Sequence, residues 1–210
     1  MTATPIQARE HDLGNGLLVL RSLPAMTHRS IGPFVFFDHA GPVVMEAATG
    51  RQADVRPHPH IGLSTVSYLM SGAVRHRDNQ GYDQVIHPGD VNWMTAGRGI
   101  VHSERFDVPD AFAGAGLELL QSWVALPEDQ EEGDPSFSHH AHADLPHAED
   151  GDVKLRVIAG EVFGMKSPVR VHSPIFYVHV ELKAGARIDV PVNYSERAAY
   201  VVHGRVRDEA

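Results

Sequence analysis

The chain has 210 residues, 42% of them hydrophobic, enough for a sizeable core in one large domain or two small ones. Cysteine is absent, which excludes disulfides, thiolate metal sites and thiol catalysis. Acidic residues outnumber basic ones 27 to 18, a net charge of −9, and no basic tract is present, so direct binding to nucleic-acid phosphates is not expected.

No apolar run approaches the roughly 18 residues that a bilayer span requires. The opening "MTATPIQAREHDLGNG" lacks a basic region followed by an apolar stretch, so no secretory signal is expected. A cytoplasmic location fits both observations, without membrane contact.

Along the chain, short segments with period-2 patterning recur. The first is "GLLVLRSL" (16–23), and "PFVFF" (33–37) is a strand-sized apolar run. Then come "STVSYLM" (64–70), "DVNWMTA" (90–96) and "LLQSWVAL" (119–126). After a break, "KLRVIAGEV" (154–162), "IFYVHVEL" (175–182), "ARIDVPV" (186–192) and "AAYVVHGRV" (198–206) continue the pattern. Turn signals such as "GNG", "DNQG", "HPGD" and "AGRG" separate them. Many short strands at this spacing predict an all-β sandwich or barrel, and helical periodicity is missing.

The break, residues 128–152, is acidic and then histidine-rich, with few apolar residues. It reads as a linker between a first domain over 1–127 and a second over 153–210. Its histidines, His139, His140, His142 and His147, lack the alternation that aims two imidazoles at one point, and a solvated connector is expected.

Two pairs stand out. "RPHPHIG" carries His58 and His60, and "GRGIVHSERF" carries His102 and Glu104. Alternate residues of a strand share a face, with Cα atoms roughly 6.6 Å apart, so each pair can converge on one ion. Pro59 points the other way and places its segment at a strand start or edge. If both pairs line one barrel, its inner face offers three imidazole nitrogens and a carboxylate oxygen. That donor set suits Fe, Mn, Co, Ni or Zn over Ca or Mg. Four protein ligands leave an octahedral ion two open positions, as a substrate oxygen and O2 require. Spacing alone also allows two unrelated, hydrogen-bonded histidines.

The residues narrow this. "IGPFVFFDHAGP" (31–42), "RPHPHIGLSTVSYLMSG" (56–72) and "HPGDVNWMTAGRGIVHSE" (87–104) together resemble the pirin family of the cupin superfamily. The similarity runs from about residue 13 to 126 and continues more weakly through 173–192 and 196–206. It implies two bicupin-type jelly-roll β-barrels packed face to face. It also implies one divalent metal, usually Fe(II) with Mn, Co, Ni, Cu or Zn as alternatives, in the N-terminal barrel on His58, His60, His102 and Glu104. Gly97 and Gly99 then form the tight turn that delivers His102 and Glu104 inward.

Two departures from the family pattern matter. Pirins often read "ETVSYL", whereas Ser64 stands here in place of the glutamate. Any ligand or base role of that glutamate falls to Glu104. The N-terminal barrel is expected to be complete, but a second jelly roll needs about eight strands. Only four or five are legible between residues 154 and 206, so the C-terminal barrel reads as truncated. Its open edge is expected to be covered by a partner chain, in a homo-oligomer or otherwise, or to be poorly ordered. His172, His179 and His203 form no His-x-His pair, and no second metal is expected.

For function, the resemblance implies an oxygenase of the quercetin 2,3-dioxygenase type, cleaving a flavonol-like aromatic substrate with O2, with Glu104 as general base. A different class is a redox-sensing regulator, iron-dependent, that binds a transcription factor or metabolic enzyme. The plainest alternative is a metal-stabilised β scaffold without turnover. Phe36 and Trp93 are expected to pack the core rather than line a substrate entrance.

Overall fold

A computed structural model describes residues 3–14, 17–44 and 53–209. Fifteen strands follow in chain order among them: β1 (Arg9–Asp12), β2 (Leu18–Leu23), β3 (Phe34–Val43), β4 (Val55–His60), β5 (Leu63–Ser71), β6 (Val74–Asp78), β7 (Asp83–Ile86) and β8 (Val91–Thr95). The rest are β9 (Ile100–Arg105), β10 (Leu117–Ala125), β11 (Ser136–His140), β12 (His147–Asp150), β13 (Val153–Val162), β14 (Met165–Lys166) and β15 (Phe176–Leu182). The molecule is all-β, of the cupin jelly-roll type. Among the described residues, no helix is long and apolar enough to cross a membrane.

A seven-stranded antiparallel sheet, β1-β2-β3-β10-β5-β8-β11, faces a four-stranded sheet, β4-β9-β6-β7. Between them, Val19, Ala40, Leu69, Leu117 and Leu119 of the larger sheet pack with Val74 and Ile86 of the smaller one. Ile100, Met94, Ala96 and Phe137 form a second cluster. At about 1.5–3 kcal/mol for each fully buried aliphatic side chain, these contacts outweigh any single polar contact holding the sheets together.

The other face of the seven-stranded sheet is covered as well. Val66, Tyr68, Val91, Trp93, Leu120 and Val124 pack against Ile158, Ala159, Val169 and Ile175 of the C-terminal part. A sheet buried on both faces loses its polar side, which is why β8 is buried at every position. Polar bonds cross the same interface: Tyr68 to His179 Nδ1 (2.8 Å) and His39 Nδ1 to Tyr200 (2.9 Å).

The acidic, histidine-rich stretch is built into the sheets. Its β11 pairs with β8 and its β12 pairs with β13. His139 Nδ1 bonds the side-chain oxygen of Asn92 at 2.8 Å, so this imidazole is held as an edge-strand residue. Beyond β15 the two alternating segments at 186–192 and 198–206 form no strand. Tyr200 and Val202 still pack on the core beneath them, but among the described residues no neighbouring strand supplies a hydrogen-bond ladder.

Candidate metal centre

β4 and β9 are antiparallel neighbours, with His58 opposite His102 and His60 opposite Ile100. A register shift lies between Val55 and His58. The turn before β9 depends on Gly97, at φ +51°, whose position leaves no room for a side chain: a Cβ there would lie 2.1 Å from the Gly133 carbonyl oxygen. The far end of β9 is tied to the strand opposite by Asp54, which accepts from the Phe106 amide (2.8 Å) and from Arg105 (3.0 Å).

The result is a cluster of three imidazoles. One ring nitrogen each from His58, His60 and His102 lies within 4.8 Å of the others, and among the described residues these three form the group able to hold a metal ion. His60 and His102 are buried and present Nε2 to Nε2 at 3.1 Å. Two metal–nitrogen bonds of about 2.1 Å at a right angle place their nitrogens about 3.0 Å apart, so this separation fits two neighbouring ligands of one ion. Without a cation, two lone pairs at that distance repel. The His58 Nδ1–H donates to the Arg56 carbonyl at 2.8 Å, which leaves its Nε2 as the free donor.

Burial favours the neutral form of His60 and His102, as metal ligation requires. Desolvation, then the charge of His58, pushes His60 down to about 4. Desolvation, then neighbouring imidazoles, pushes His102 down to about 2. Trp123 closes the site from the opposite sheet, edge to face with His60 at 5.2 Å between centroids. Trp123 itself stacks on Phe36 at 4.1 Å, and the Arg21 guanidinium lies over the Phe36 ring at 4.5 Å. Phe36 and Trp93 are both buried.

Glu104 lies two residues along β9 from His102, opposite Val55 on one side and His76 on the other. Its carboxylate is not part of the three-imidazole group. Burial raises its pKa, and the nearby His58 charge opposes that rise.

Sequence patterning misses two residues of this site, His76 and Asp78 on β6. His76 Nδ1 faces His102 Nδ1 at 3.3 Å, and His76 Nε2 bonds Asp78 Oδ2 at 2.9 Å. The signal was the alternation "VRHRD": Val74, His76 and Asp78 turn inward, while Arg75 and Arg77 turn out to pair with Asp83. A polar row also crosses the barrel floor in register, from Asp38 through Gln121 and Ser67 to Asn92. Within it Ser67 donates to Gln121 at 2.7 Å.

Residues 17–124 match the sequence profile of the pirin family. The chain is 54% identical over 200 residues to a pirin-like protein of Caulobacter vibrioides, covering 95% of this chain and 69% of the relative. It is 34% identical to Pirin-1 of Arabidopsis thaliana over 91% of this chain and 62% of that one. Among solved structures it is similar to quercetin 2,3-dioxygenase from Acinetobacter baumannii, with a TM-score of 0.75 and 40% identity over 83% of this chain and 56% of the other. It thus spans between 56% and 69% of the length of these three proteins. With the jelly-roll sheets and the histidine cluster in place, these matches establish that the chain belongs to the pirin family.

Proposed function

We propose that this chain is a metal-dependent oxygenase of the quercetin 2,3-dioxygenase type, acting on a flavonol-like aromatic substrate and O2. The observation that carries it is the convergence of three imidazoles beside a half-buried glutamate inside the barrel. The likeness to a solved quercetin 2,3-dioxygenase supports the same reading. A divalent ion held there, Fe(II) by preference, would supply a Lewis acid that lowers the pKa of a substrate hydroxyl and would bring redox chemistry to O2.

The remaining work falls to side chains. His58, His60 and His102 are assigned as ligands, with Glu104 as the fourth. Glu104 is also the group that takes the proton of the flavonol 3-hydroxyl. Its raised pKa brings it nearer the operating range of a general base. Trp123 offers an aromatic wall beside His60 for a flat substrate. The polar row of Gln121, Ser67 and Asn92 supplies donors and acceptors for substrate hydroxyls.

Carbon monoxide release from quercetin under air tests the reading, with Fe(II)-loaded protein against His58→Ala and Glu104→Gln. Release by the parent and loss in both variants is expected. No release with any divalent metal overturns the oxygenase reading and leaves iron-dependent partner binding in its place.

A further inference from the structure

We propose that Asp78 and His76 are positioning residues for the metal centre, holding His102 in the tautomer that turns its Nε2 lone pair toward His60. The inference rests on the metal-centre reading above and assigns a task to two residues that it leaves unused.

The geometry runs through one hydrogen-bond chain. Asp78 is wholly enclosed, with 0% of its side chain exposed, and His76 beside it is 6% exposed. The two Asp78 oxygens have separate partners. Oδ1 accepts from the amides of Gln80 (2.9 Å) and Tyr82 (3.1 Å) and so organises the turn after β6. Oδ2 faces His76 Nε2 at 2.9 Å. A carboxylate can only accept, so the proton of His76 resides on Nε2. His76 Nδ1 is then an acceptor, and the group it meets, at 3.3 Å, is His102 Nδ1. His102 must donate from Nδ1, and its lone pair is left on Nε2, 3.1 Å from His60 Nε2.

The plane of His76 is fixed too. Its ring stacks on Phe137 with centroids 4.3 Å apart and an 18° tilt. His58 obeys the same logic with a backbone acceptor, the Arg56 carbonyl. The turn needs only one oxygen of Asp78, so turn formation does not account for the second. Groups that fix the outward nitrogen of a ligating histidine typically govern metal affinity by 10–100-fold.

Asp78→Asn separates the two roles of the residue. Its Oδ1 still serves the Gln80 and Tyr82 amides, but its amide now donates to His76. The proton of His76 moves to Nδ1, and that of His102 moves to Nε2, into the cluster. His76→Phe keeps the stack on Phe137 and removes the acceptor. His76→Asn restores an acceptor where Nδ1 stood.

The experiment reads two quantities. Imidazole tautomers are taken from 1H–15N couplings in the metal-free protein, and Co(II) affinity is taken from chelator competition. The expected result is Nδ1–H on His102 in the parent and Nε2–H in Asp78→Asn. Co(II) binding should weaken about 10–100-fold in Asp78→Asn and His76→Phe, with affinity restored toward the parent in His76→Asn. Parent-like Co(II) affinity in both Asp78→Asn and His76→Phe, or an unchanged His102 tautomer in Asp78→Asn, overturns the proposal. A loss of melting temperature alone, with tautomer and affinity intact, does the same. If the parent takes up no Co(II), the metal-centre reading fails, and the tautomers still decide the hydrogen-bond chain.

Discussion

The indole of Trp123, on the seven-stranded sheet, meets the imidazole of His60, on the four-stranded sheet, edge to face at 5.2 Å. This contact joins the two walls of the barrel directly over the histidine cluster. The chain has two tryptophans, and the other, Trp93, faces the C-terminal part. Binding of Co(II) or Fe(II) at the cluster is therefore expected to quench Trp123 emission, saturating at one equivalent. In Trp123→Phe the remaining Trp93 emission should not respond to metal. A full metal response in that variant would show that the ion binds elsewhere.

Glu104 is the half-buried carboxyl beside the three imidazoles, and its pKa is raised by desolvation. Glu104→Gln keeps its size and removes its charge. Carbon monoxide release from quercetin is expected to fall about 10²–10⁴-fold, the range for losing a positioned general base. Thermal unfolding of the metal-free variant should stay at or above the parent value, because the cost of burying the charge is gone. Activity within a few-fold of the parent would remove Glu104 from the reaction.

The metal-free protein should lose stability in mild acid. His60 and His102 have folded pKa values near 4 and 2, below their ordinary 6.5. Between these limits the unfolded chain binds more protons than the folded one, so stability rises with pH. The contribution is fully present above pH 6.5 and is lost as the pH falls from there toward 4, by up to about 1.4 kcal/mol per pH unit for each histidine. Urea unfolding at pH 7, 5.5 and 4.5 measures this slope. His102→Gln should flatten it; an equal slope in that variant would contradict the assignment.

Gly97 occupies the left-handed region, and an added Cβ would strike the Gly133 carbonyl oxygen. Relieving the clash moves the turn that leads into β9. Gly97→Ala is expected to cost at least about 1–3 kcal/mol in urea unfolding and to weaken metal binding as His102 is displaced. Unchanged stability would mean that the turn can shift freely.

Across the second interface, Tyr68→Phe deletes the hydroxyl that meets His179. A loss of about 0.5–1.5 kcal/mol is expected, the usual net worth of one hydrogen bond. Metal affinity should not change, since Tyr68 lies on the face of the sheet opposite the histidines. A change in metal affinity would show that the two faces are coupled.

How much of this was legible in the sequence depended on burial. β2, β3, β5, β10, β13 and β15 carry enough apolar residues for alternation to show. β1, "REHD", is exposed at all four positions and carries no apolar signal. β6 is short and mostly charged, so His76 and Asp78 escaped notice although they obey the same alternation as His58 and His60. β11 and β12 escaped because an edge strand needs little apolar surface. The reverse error occurred at 186–192: "ARIDVPV" alternates, yet Val190 and Val192 are 52% and 87% exposed and unladdered. Alternation states which way a side chain would face in a strand. Whether a neighbouring strand exists is a non-local fact.

The site divides the same way. Period-2 spacing aimed His58 with His60 and His102 with Glu104, and the β4–β9 ladder brought the three imidazoles together. The contact of His60 with Trp123 and that of His102 with His76 depend on how separate strands are placed against one another, which spacing within one strand does not encode.

One metal ion on His58, His60 and His102 is what the proposed function requires. Elemental analysis of the protein loaded with Fe(II) under anaerobic conditions, set beside His102→Ala, tests it most directly. One equivalent per parent chain and almost none in a folded His102→Ala is the predicted result. Undiminished metal in that variant, or none in the parent, would contradict it.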